Sequence, residues 1–189
     1  MELTYRESLA LVHGIILGAV FLLAFSGGLA GLYSLRPRLV TEEGIRERMV
    51  RLYVGTTVMA GLVWATVITG TYVVYPWYRE NLAGKDLSGC KGLALPNSTT
   101  CSPKDFLLSN INGDTSDWHK FGMEWKEHIA WFSPFFATVA MFLVLYYRRS
   151  LARNNTARWI TISFFVLAFA TAAIPGIWGA LITKAAPIK

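Results

Sequence analysis

Few residues in this chain are suited to chemistry. They are three histidines (His13, His119 and His128), two cysteines (Cys90 and Cys101) and the run Glu124–Trp125–Lys126–Glu127–His128. Imidazole titrates near neutral pH and is a common ligand of metals and haem iron. A carboxylate one helical turn from an imidazole can move a proton or help to hold a divalent ion. Hydrolase nucleophile signatures, phosphate-binding glycine loops and dinucleotide fingerprints are absent from the sequence.

The elements that must position these groups are apolar. The chain has 189 residues, 53% hydrophobic and 16% charged, against roughly 25% charged in an ordinary soluble domain. Its apolar residues gather in four blocks, each long enough to cross a bilayer as a helix. The pattern predicts one all-α integral membrane domain, 1–189, a four-helix bundle with helices at about 8–35, 49–78, 118–148 and 157–184. The opening "MELTYRES" lacks a basic n-region and a cleavage site, so the first block is expected to remain as a helix.

Charge sets the expected direction. The first and third connections and their edges carry nine arginines: Arg36, Arg38, Arg46, Arg48, Arg51, Arg148, Arg149, Arg153 and Arg158. Glu42, Glu43 and Glu47 oppose them, so this side holds the whole net charge of +6. Basic connections stay in the cytoplasm. Both termini and the long connection 79–117 are therefore expected outside, on the periplasmic face of a bacterial inner membrane. That distribution explains the positive charge without nucleic acid.

The long connection holds Cys90 and Cys101, and an oxidising compartment favours a Cys90–Cys101 disulfide there. Asn97-Ser98-Thr99 is a glycosylation sequon, relevant only in a eukaryotic secretory pathway. "NINGDTSD" has the alternation of a calcium loop but neither its spacing nor its terminal Glu. A solvated turn with Ser116 or Asp117 as helix cap fits better. No Cys-x-x-Cys-His attaches a c-type haem.

His119 and His128 are nine residues apart, on opposite faces of a helix. His119, between Trp118 and Lys120, is expected to be a wet surface residue. Phe121, Trp125, His128, Phe132 and Phe135 step by four and three and are expected to form a bundle-facing seam. His13 lies in a block with no charged residue between Glu7 and Tyr33. Counted from the outer edge, His13 and His128 each lie roughly 7–8 Å deep. An ionisable residue at that depth is a functional candidate. No buried carboxylate or basic residue is expected in the middle of any span, which argues against a transporter.

Three functions follow as expectations. In the first, His13 and His128 ligate one b-type haem between helices 1 and 3, with Arg79 or Lys126 near the propionates. The chain would then be an electron-transfer subunit of a respiratory or photosynthetic complex, passing electrons between quinol and an outer-side partner. Its layout is similar to that of haem-b membrane anchors of respiratory dehydrogenases and oxidases. In the second, it is a cofactor-free accessory subunit of such a complex. In the third, Glu124, Glu127 and His128 form a quinone or metal site; the same carboxylates also suit the dipole of a helix start.

Overall fold

The computed structural model describes Ser8 and residues 11–37, 41–79 and 115–185. Cys90, Cys101 and most of the long connection lie outside the described residues, and with them the disulfide. Helix is the only regular structure among the described residues. Four helical stretches are long and apolar enough to cross a membrane: Leu11–Ser34, Glu42–Val74, His119–Tyr147 and Asn155–Ile182. We number them spans 1 to 4. Consecutive spans pack side by side and span 4 returns to span 1. Spans 1 and 3 therefore lie across a diagonal of the bundle.

Span 2 begins two turns before the expected residue 49. Thr41 is extended (φ −69°, ψ 166°) and its hydroxyl accepts the Gly44 N–H at 3.2 Å. Glu42 and Glu43 then occupy the first turn, where carboxylates suit the helix dipole. Apolarity marks where a helix meets lipid, whereas a cap marks where it starts.

Prolines shape the interior of the spans. The third helix runs as Thr115–Ile129 and Phe132–Tyr147. Pro134 has no N–H for the Ala130 carbonyl, which instead takes the Ser133 N–H at 3.2 Å. Before Pro76, span 2 widens into a π-helical run, Gly70–Val74, and Tyr75 N–H donates five residues back to the Gly70 carbonyl. Span 1 starts with a second π-helical run, Leu11–Ile16. Pro175 lies inside the last helix, Asn155–Ala185.

Phe21, Phe25, Leu32, Met49, Leu52, Met59 and Phe165 form the centre of the core. Phe25 stacks on Phe169 with ring centroids 4.4 Å apart. Polar bonds also tie the helices to one another. Trp64 Nε1 donates to Thr138 Oγ1 at 3.0 Å, and Ser133 Oγ donates to the Ala168 carbonyl at 2.8 Å.

The two basic connections meet at one end. Arg153 pairs with Glu42 at 2.7 Å. Arg158, only 6% exposed, donates to the carbonyls of Leu35, Leu151 and Ala152 and to Asn155 Oδ1. Arg48 donates to the Ser34 carbonyl at 2.8 Å. Arg48 and Arg158 thus donate to carbonyls at the end of the first helix, where the Ser34 carbonyl also accepts the Arg36 N–H at 2.9 Å.

Close packing between spans 1 and 4 depends on Gly28. A Cβ there would sit 2.7 Å from Phe165 Cε1, and Phe165 is fully buried. Gly28→Ala is expected to destabilise the bundle by about 1–3 kcal/mol. Thermal unfolding in detergent measures this, and a second change, Phe165→Leu, should recover most of the loss. An unchanged midpoint in Gly28→Ala would show that the two helices separate freely there.

Candidate functional site

The site is built from polar groups of spans 1, 2 and 3, with room left by span 4, well away from the basic end. On span 1, His13 lies in the π-helical run and is half-buried. Its Nδ1 is 3.2 Å from Thr69 Oγ1 of span 2. That hydroxyl is itself anchored, donating to the Ala65 carbonyl at 2.7 Å. When Nδ1 carries the proton, Thr69 accepts it and Nε2 is left with a free lone pair. Gly70 makes room for the ring: a Cβ there would lie 2.8 Å from His13 Cε1. The π-helical runs of spans 1 and 2 thus meet at His13 and Gly70, and such runs gather at functional sites.

Span 3 contributes Lys126, which is half-buried and close enough to His13 for the two to act on each other electrostatically. Span 4 makes room for it at Gly179, where a Cβ would lie 2.7 Å from Lys126 Nζ. Lys126 is thus turned inward, near the start of span 3 and not in its middle.

His128 lies elsewhere. Its side chain is 71% exposed, with Nδ1 2.8 Å from its own helix's Glu124 carbonyl and 3.8 Å from the Glu124 carboxylate. The aromatic seam is likewise on the outside, with Phe121, Phe132 and Phe135 all exposed. The expectation that this seam faces the bundle is corrected. The face turned inward holds His119, Gly122, Ser133, Ala137, Ala140 and Val144. His119 is 0% exposed, so its expected place on a wet surface is also overturned. The opposition of His119 and His128 across one helix holds, but the inner and outer faces are exchanged. Small side chains let helices approach each other, whereas large aromatic ones suit lipid. The structure does not bring His128 into the space that His13 faces.

Glu127 belongs to a separate contact at the edge of the site. It lies against Tyr75, at the end of span 2. Tyr75 Oη is buried and has no acceptor at full hydrogen-bonding geometry. Burial first, and then the Glu127 carboxylate, hold this phenol protonated well above the ordinary tyrosine range; Arg79 opposes the effect. Arg79 lies over the Tyr75 ring, 4.7 Å from its centroid. Among the described residues no three His, Cys, Asp or Glu side chains gather as a metal site. Glu124, Glu127 and His128 therefore divide between two contacts.

The arrangement defines a class: a four-helix membrane bundle with a basic pair, His13 and Lys126, in its interior. No family model, curated protein or solved structure matches the chain.

Tyr75 offers a direct test of the edge contact. A phenol raised in the folded state contributes stability that is fully present below pH ~10 and is lost as the pH rises further. Ultraviolet titration of phenolate should show one late-ionising tyrosine that Tyr75→Phe removes. Glu127→Gln should move that component to lower pH without restoring an ordinary value, since burial is the larger cause. An unmoved component would mean that Glu127 does not act on the phenol.

Proposed function

We propose that the chain is a membrane subunit of an electron-transfer complex, respiratory or photosynthetic, that binds a quinol headgroup in the outer half of its bundle. The observation that carries this reading is the Lys126 ammonium seated at Gly179 of span 4, within electrostatic reach of His13. Charge inside a membrane domain is costly and marks substrate, ion or proton pathways. A quinol headgroup presents two oxygens: the ammonium is a suitable donor to one, and the free His13 Nε2 lone pair a suitable acceptor from the hydroxyl of the other. A quinol releases protons on oxidation, and a neutral imidazole can accept one. Tyr75 and Glu127, at the edge of the site, suit the onward passage of a proton to water. The electrons would go to a redox centre, a haem or an iron–sulfur cluster, in an outer-side partner subunit.

The topology proposed with this function keeps the basic end in the cytoplasm. Both termini and the long connection, stapled by Cys90 and Cys101, then lie outside a bacterial inner membrane. The His13–Lys126 site falls in the outer leaflet, open to quinol diffusing within the lipid.

Binding of a headgroup quinone analogue to the purified full chain tests the reading. Lys126→Met, which removes charge and keeps length, should weaken binding by about tenfold or more, the equivalent of one charge-assisted hydrogen bond. His13→Gln should weaken it as well, and exposed His128→Ala should not. Equal binding by wild type and Lys126→Met would end the quinol proposal. A dithionite-reduced minus oxidised spectrum with a pyridine haemochrome assay tests the alternative. One haem b per chain, lost on both His13→Ala and His128→Ala, would replace the quinol site with bis-histidine ligation.

A further inference from the structure

At the basic end, three guanidiniums crowd the last turn of the first helix. Arg48 donates to the Ser34 carbonyl and Arg158 to the Leu35 carbonyl. Arg36 follows directly, its guanidinium stacked over the Tyr33 ring at 4.6 Å. Arg158 and Arg36 are close enough to repel each other. Arg48 and Arg158 have carbonyl partners, but the Arg36 Nε is buried with no hydrogen-bond partner. Among the described residues Arg36 also has no carboxylate partner; Glu42 is engaged by Arg153 and Glu47 by Arg51.

Three guanidiniums at one helix end, one with a buried donor unused, leave an excess of positive charge that a protein does not build without compensation. An anion supplies it. We infer that Arg36 binds the phosphate of an anionic phospholipid headgroup, with Arg158 and Arg48 adding field behind it. The place favours a lipid over a free anion. Span 1 ends at Ser34, so Arg36 stands two residues beyond the apolar stretch, at headgroup level. Guanidinium forks match phosphate oxygens, and a Tyr33 ring below the guanidinium holds its plane in one orientation. This site is independent of the His13–Lys126 site and of any quinol chemistry.

Native mass spectrometry of the full chain in micelles of phosphatidylglycerol or phosphatidylcholine tests the inference. Wild type should retain one phosphatidylglycerol with a preference of about fivefold or more over phosphatidylcholine. Arg36→Gln should lose that preference, and Arg36→Lys should keep part of it. Arg36→Gln removes no hydrogen bond or ion pair among the described residues, so without phosphatidylglycerol it should unfold close to the wild-type temperature. Arg46→Gln, exposed on the same end, should retain the lipid as wild type does. Equal retention by wild type and Arg36→Gln would overturn the site, as would equal loss in Arg46→Gln, which marks diffuse surface charge. Inorganic phosphate alone, stabilising wild type as much as phosphatidylglycerol does, would overturn the lipid assignment.

Discussion

Helices in lipid come close only where side chains are small, and the structure depends on that constraint. Lipid tails are as apolar as leucine, so burying leucine between helices gains little over leaving it in the bilayer. What drives association is close contact and polar bonding. Gly28 admits the Phe165 ring, Gly70 admits the His13 ring and Gly179 admits the Lys126 ammonium. Each glycine is an opening on one helix that a larger group from another helix fills. The same preference sends Phe121, Phe132 and Phe135 outward and draws Ser133, Ala137 and Ala140 in.

Backbone irregularity is concentrated near the polar groups. The π-helical runs Leu11–Ile16 and Gly70–Val74 face each other across the His13–Thr69 contact. Pro76 interrupts the ladder just beyond one of them, and Pro134 breaks span 3 two turns past Lys126. Regular helix makes up the basic half, where Phe25, Leu32, Leu52 and Met59 pack. The bundle thus has one half built for packing and one half whose geometry is set by polar side chains.

Much of this was legible in the sequence. Length and apolarity identify four spanning helices, since a helix is the structure that satisfies its own backbone in lipid. Counting residues led to the expectation that His13 and the polar run of span 3 share a depth, and His13 lies within electrostatic reach of Lys126 in that run. Which residue that would be was not legible. Span 3 carries two stripes at helical spacing on opposite faces: Phe121, Trp125, His128, Phe132 and Phe135 on one, His119, Gly122, Lys126, Ser133 and Ala137 on the other. Periodicity finds both equally well. A rule taken from soluble proteins, with the large apolar face inward, selects the wrong one here.

The sequence by itself determined the number of spans and roughly where each lies, because the apolar run a helix needs to cross lipid is a local property. Tertiary structure decided how each helix is rotated, because rotation depends on what its neighbours offer. Gly179 on span 4 leaves the room that the Lys126 ammonium takes up. One helix turned through half a circle exchanges His128 for Lys126 at the centre of the bundle, and nothing within span 3 alone distinguishes the two.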